Sequence, residues 1–390
     1  MKLMLAFFLL SQSAYAIDVG DGSDGVCSIT ASGNTQITAA KKNYQCTRLE
    51  LDGTLTLFNG SSAGAGGAAL VIKVQNDVVT VGTFNINLDG APGVAGDTVS
   101  GKAGGLAGAG GGAGGNSFGT GVDGNNGNNS GGGVGGKFVT PFTTSSYGGG
   151  GGGGSFKTQG ATQPTDGDDV GGTAPTSKGT NGTAFSADAT IDSSFTGGSG
   201  GAAGGDGKDT GVFKSGSSGG GGGGAIRIVA GGDITLNGTI SVRGGNGGGV
   251  SATTYSGGGG GGSGGAILIQ AGRDLIVNGG TLEARGGTFG ENDFAGFGGD
   301  GGNGIIRLDD RDGVVDSSAA TVNPGKSSFT FSTSAQTSGS SAIRSYASEV
   351  SCASVALDDH ARSFTNLVNL ILGMATVAFI HLVASKRSKI

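Results

Sequence analysis

Residues 224–245, GAIRIVAGGDITLNGTISVRGG, recur 41 positions later as residues 265–287, GAILIQAGRDLIVNGGTLEARGG, with one insertion near Gly280. In the first copy apolar side chains alternate at Ile226, Ile228 and Ala230, then Ile234 and Leu236, then Ile240 and Val242. The second copy answers with Ile267, Ile269 and Ala271, Leu275 and Val277, Leu282 and Ala284. A period of two is the signature of strands, and the Gly-Gly-Asp and Asn-Gly-Thr breaks between the runs are turn chemistry. Each copy therefore predicts three short strands and two tight turns, about one triangular coil of a parallel β-helix. One coil cannot bury its own apolar face, so the unit has to stack.

Weaker copies extend the stack. Residues 48–60 supply Leu49 and Leu51, a turn at Asp52-Gly53-Thr54, then Leu55 and Leu57. Residues 69–90 match at an offset of 156, setting Leu70 and Ile72 on Ile226 and Ile228, Asp77 on Asp233, and Phe84 and Ile86 on Ile240 and Val242. A reduced copy follows the second repeat, with Ile306, Leu308 and Val314. The expected fold is all-β: a short single-stranded parallel β-helix over residues 17–315 with long Gly-rich insertions, plus one C-terminal transmembrane α-helix.

The main insertion is residues 91–223. The chain holds 91 glycines but only 5 prolines and no tryptophan, which excludes collagen and departs from ordinary globular composition. Glycines fall every third residue at 105, 108, 111 and 114, at 198, 201, 204 and 207, and at 296, 299 and 302. That spacing without proline suits extended threefold helices of the polyglycine-II kind, packed side by side. Phenylalanines 118, 138, 142, 156, 185, 195 and 213 are more than a solvated linker needs. The expectation is a partly ordered insertion lying over one face of the coils, with a disordered linker as the other reading.

Both ends carry addresses. Residues 1–16 have the form of a signal peptide, with Lys2, an apolar core and Ala14-Tyr15-Ala16 for cleavage. Residues 316–363 read as a Ser/Thr-rich stalk, 364–384 as an apolar transmembrane helix, and 385–390 as a basic cytoplasmic tail. The expected location is outside the cytoplasm, in the cell envelope or at the surface. With a net charge of -6, nucleic acid is an unsuitable partner. The partners expected are the membrane, through the helix, and a surface polysaccharide or protein.

The candidate chemistry is sparse. Both histidines, His360 and His381, fall beside or within the apolar segment, which removes Ser-His-Asp catalysis and His-based zinc from the rest of the chain. No catalytic residue is assigned, and the chain is expected to be non-enzymatic. A polysaccharide-active enzyme using Asp309, Asp310 and Asp312, with Arg307 and Arg311 nearby, is the alternative. No cofactor is expected beyond calcium, for which Asp18, Asp21 and Asp24 are weak candidates because no bidentate Glu follows at loop spacing. Cys27 and Cys46 are expected to form a disulfide in an exported chain; Cys352 is left free or bridges to a second chain. Asp77, Asp233 and Asp274 recur at equivalent turns, as a stack of Asx turns would. Residues 320–327, ATVNPGKS, imitate a phosphate loop without the helix that motif needs. Contacts to a partner are expected from loop aromatics, Tyr255, Phe289, Phe294 and Phe297, against the alternative that these rings pack on one another.

The opening VGDGSDG followed by GGGGGGAIRIVAGGDITLNGTISVRGGNGG resembles glycine-rich bacterial surface proteins with a parallel β-helix, often described as adhesin-like. The resemblance spans residues 18–312 and is one of repeat style. It implies a solenoid displayed outside the cell and carries over no functional residue. The glycine-rich insertion also resembles, more weakly, the polyglycine-II tail-fibre adhesins of phages.

Overall fold

The computed structural model describes residues 17–30, 35–38, 40–57, 67–96, 99–138, 146–166, 178–187, 191–192, 195–249, 255–291, 296–311 and 313–327. Among them the strands are β1 (Val26–Ser28), β2 (Thr35–Gln36), β3 (Asn43–Cys46), β4 (Arg48–Thr56), β5 (Leu70–Val74), β6 (Val78–Asn87), β7 (Gly207–Asp209), β8 (Val212–Lys214), β9 (Ala225–Ala230), β10 (Ile234–Leu236), β11 (Gly238–Ser241), β12 (Ala266–Ala271), β13 (Leu275–Val277), β14 (Thr281–Glu283), β15 (Ile305–Asp309) and β16 (Thr321–Asn323). The first sheet runs β16-β14-β11-β6-β4-β1-β2, with β10 and β13 alongside; the second runs β15-β12-β9-β5-β3. Both are parallel, and only the hairpin β7–β8 is antiparallel.

The alternating residues form the core between these sheets. In the second sheet Tyr44, Ile72, Ile228, Ile269 and Leu308 stack at one register position, each at most 1% exposed. In the first, Leu55, Ile86, Ile240, Leu282 and Val322 do the same. Burying each large aliphatic side chain stabilises the fold by about 1.5–3 kcal/mol, so the ladders supply the main apolar driving force. At the N-terminal end, Cys27 in β1 and Cys46 in β3 join in a disulfide.

The expected single-stranded β-helix with a terminal membrane helix is not the architecture described. The Asn-Gly-Thr break at Asn237 does not open a third sheet: β10 and β11 both pair with the long strand β6. Two parallel sheets result, not the three faces of a triangular coil. No helix occurs among the described residues, and none is long and apolar enough to cross a membrane; residues 364–384 lie outside them, as do the signal segment and Cys352. Glycine, which forms helices poorly, dominates what the strands leave over.

Three local expectations also shift. Phe84 lies opposite Gly238 and Ile86 opposite Ile240, two positions from the sequence alignment. The extra residues sit at the register break in β6, where Val81 is 64% exposed, and Gly238 leaves the room that the Phe84 ring occupies. Val314 is 74% exposed and adds nothing to the core. The first sheet continues past residue 315, through β16, into the segment expected to be a stalk.

The glycine-rich segments form a lattice of extended rows. Gly257, Gly260 and Ser263 donate to the carbonyls of Gly205, Ala202 and Ser199. Gly258, Gly261 and Gly264 donate to Gly296, Gly299 and Gly302, while Gly259, Gly262 and Gly265 donate to Gly248, Gly245 and Val242, all at 2.7–3.0 Å. Successive N–H groups thus address three different neighbours in rotation, as a threefold extended helix requires. The rows are too close for side chains: a Cβ on Gly260 would meet the Gly152 carbonyl oxygen at 2.1 Å. Rows leave the sheets after β6, β11 and β14 and return to them at β9, β12 and β15.

Candidate functional site

On the second sheet, strand positions facing away from the main core form a buried layer of their own. Ala225, Ala266, Leu268 and Ile305 are covered by Phe156 and Ile191 from the insertion, with Ala69 and Phe195 at the margin. Both faces of β12 and β15 are therefore covered, which explains why every residue of these two strands is buried. Register aligns Arg227, Leu268 and Arg307 on one level and Val229, Gln270 and Asp309 on another. Arg307 holds Asp309 through Nε (3.0 Å) and Nη2 (2.8 Å), and Asp192 through Nη1 (2.6 Å). Gln270 donates to Asp309 Oδ2 at 3.1 Å and accepts from Arg227 at 2.7 Å, and Arg227 also reaches Asp192 at 3.3 Å. Burial disfavours the charge on Arg307, but Asp309 and Asp192 outweigh it and hold the guanidinium above its ordinary pKa.

This geometry bears on the proposed acid cluster. Asp309 is fully buried with both oxygens engaged. Asp310 is 2% exposed and caps the Gly313 N–H, and Asp312 lies outside the described residues. A general acid or base needs reach to its substrate, and a carboxylate locked under the insertion lacks it. The cluster fastens the insertion to the sheet.

The calcium candidates are not brought together; no group of metal-type ligands occurs among the described residues. Asp18 binds Lys73 and the Gly20 N–H, Asp21 caps Ser23, and Asp24 pairs with Lys41 and the Gln45 N–H. The Lys73 hydrogen bond and the Ser23 N–H lower the Asp18 and Asp21 pKa values; at Asp24 burial pushes upward, and Lys41 together with the Gln45 N–H reverses it. Asp77, Asp233 and Asp274 form a ladder: Asp77 accepts from the Asp233 N–H at 2.9 Å, Asp233 from the Asp274 N–H at 3.2 Å, and Arg273 bridges the first two. In the phosphate-loop lookalike, Lys326 follows the turn after β16 and binds Val315 and Ser317; among the described residues no helix begins there.

A second group of aromatic residues gathers where the rows turn, around the β7–β8 hairpin. Lys102 and Ser117 exchange backbone hydrogen bonds, and the Asp206 carboxylate accepts from the N–H groups of Thr120, Gly121, Val122 and Gly216 at 2.9–3.2 Å. That buried carboxylate ties the turn at 119–122 to the base of the β7–β8 hairpin. On the hairpin, Phe213 packs edge-on to Phe138 at 5.7 Å, and Lys208 lies over the Phe213 ring. Ser146 pairs with Lys208, and the adjacent Tyr147 stacks on Tyr255 at 4.7 Å. Val99, Phe118, Val122 and Val212 are 39–66% exposed around these rings. Sequence reasoning had placed contacts on Tyr255, Phe289, Phe294 and Phe297. Tyr255 does belong to this group but against Tyr147, Phe289 packs edge-on to Phe297 at 6.3 Å, and Phe294 lies outside the described residues. Tyr147, Phe138 and Phe213 were missed as partners because only the row pairing brings them together.

No family model, curated protein or solved structure matches the chain, so the comparisons identify no adhesin-like or tail-fibre relative.

Proposed function

We propose that the chain is an exported, non-catalytic surface or envelope protein that attaches to a polysaccharide or protein through the turns of its glycine lattice around the β7–β8 hairpin. The observation that carries this reading is the gathering of Phe138–Phe213, Tyr147–Tyr255 and exposed apolar side chains around one hairpin. Aromatic and aliphatic groups left exposed on a stiff base favour contact with another surface, since little order has to be gained on binding. The Cys27–Cys46 disulfide supports export, because such bonds persist in oxidising compartments. The competing enzymatic reading would need an accessible acid pair, and Asp309 is closed in its ion pair.

Beads coated with the full mature chain would test the reading by their attachment to intact cells. Tyr147→Ala and Phe213→Ala are expected to weaken attachment at least tenfold while circular dichroism is unchanged. Attachment equal to wild type in both variants would sink it. Turnover of an acidic polysaccharide by wild type, lost in Asp309→Asn, would install the enzymatic reading instead.

A further inference from the structure

A second feature lies on the flank of the lattice, where two neighbouring rows run antiparallel. Asn125 and Asn128 donate their backbone N–H groups to Asn116 and Ala113, both at 3.0 Å. Over this pair of rows is an open groove of about 430 Å³, lined by Gly114, Gly115, Asn116, Gly124, Asn125, Asn126 and Asn128. Its side chains are all carboxamides. Two are held in place: Asn116 Oδ1 accepts from the Gly104 N–H at 2.7 Å, and Asn126 Oδ1 from the Gly135 N–H at 2.8 Å. A backbone N–H only donates, so the oxygen must face it and each amide NH₂ is directed elsewhere. Among the described residues, the side chains of Asn125 and Asn128 make no hydrogen bond within the protein. In a row rising about 3.1 Å per residue, residues three apart share a flank and lie about 9 Å from each other.

We infer that this groove is a binding site for an uncharged polysaccharide chain. Carboxamides donate and accept at once, as sugar hydroxyls do, and they match such a ligand along its length. An ionic polymer would surrender hydration here without meeting an opposite charge in the lining. A purely apolar ligand would find no apolar side chain in the walls, whereas the glycines let a flat sugar ring approach the backbone closely. The groove shares no lining residue with the aromatic pairs Phe138–Phe213 and Tyr147–Tyr255, so separate variants test the two.

The test uses the full-length chain in affinity electrophoresis through gels containing an uncharged glucan, an uncharged mannan or polygalacturonate. Retardation by at least one uncharged polymer is expected, insensitive to salt and weakened at least tenfold in Asn125→Ala/Asn128→Ala. Tyr147→Ala should be retarded like wild type, whereas failure of the hairpin reading would show in cell attachment alone. Three results overturn the inference: no retardation by either uncharged polymer, retardation unchanged in the double variant, or salt-sensitive retardation by polygalacturonate only. Sedimentation equilibrium covers the competing occupant. Dissociation of a dimer by the double variant would assign the groove to a second copy and overturn the proposal too.

Discussion

The two-sheet core and the glycine lattice satisfy the same backbone demand with opposite use of side chains. In the sheets, every second residue buries an aliphatic group, and ladders such as Ile72–Ile228–Ile269 hold the strands through apolar contact as well as hydrogen bonds. In the lattice the side chain is absent, each row addresses three neighbours, and cohesion comes from hydrogen bonds and close van der Waals contact. The sheets therefore tolerate exchange of one aliphatic group for another, while the lattice tolerates almost no added atom. Each region completes the other: the rows start and end on strands, and the insertion covers the outer face of the second sheet.

The largest expected effect falls on the sheets. Ile269→Ala opens a cavity in the middle of a ladder and should cost about 2–5 kcal/mol, read from the denaturant midpoint. A loss below 1 kcal/mol would mean that the ladders contribute less than the rows. Next, Cys27→Ser should cost about 3 kcal/mol, the loss expected when a bridge across 19 residues no longer restricts the unfolded chain. Its effect should appear as early unfolding of β1 to β3, with the lattice amides still protected from hydrogen exchange.

Gly260→Ala tests the lattice directly, at an expected cost of about 1–3 kcal/mol from overpacking against the Gly152 carbonyl. Hydrogen exchange should accelerate at Gly220, whose N–H pairs with Gly260, and stay slow at Ile228 in the sheet. Equal acceleration at both would show that the two regions unfold as one unit. The smallest effect is acid loosening of residues 18–24. Their carboxylates titrate below the ordinary 3.8 when folded, so their contribution is complete above that value and is lost as pH falls through the lowered ones. Amide shifts of Gly20, Ser23 and Gln45 should therefore move below about pH 4, while those of Gly257 to Gly262, which pair with backbone carbonyls, should not.

Much of the sheet pairing was legible in the 41-residue recurrence, because a strand's period of two shows directly in Ile226, Ile228, Ile267 and Ile269. The offset of 156 placed Leu70 and Ile72 correctly on Ile226 and Ile228, then slipped at Phe84, where the register break leaves no mark in composition. Of the candidate site, Tyr255 was visible as a loop aromatic. Its partner Tyr147 opens a similar run, residues 147–154 against 255–262, but likeness between two glycine rows does not say that they lie side by side.

By itself the sequence determined the strands of the repeat copies, their stacking partners and the threefold glycine spacing, but not the strands outside the repeats. These are local properties, set by side-chain alternation and by where a Cβ is missing. Only the tertiary structure decided that β10 and β11 share one sheet, that Phe156 and Ile191 cover the outer face of the other, and that Asp309 is a buried fastening for Arg307. Each of those depends on which distant segment lies alongside, and backbone hydrogen bonds between glycines are chemically alike whichever rows they join.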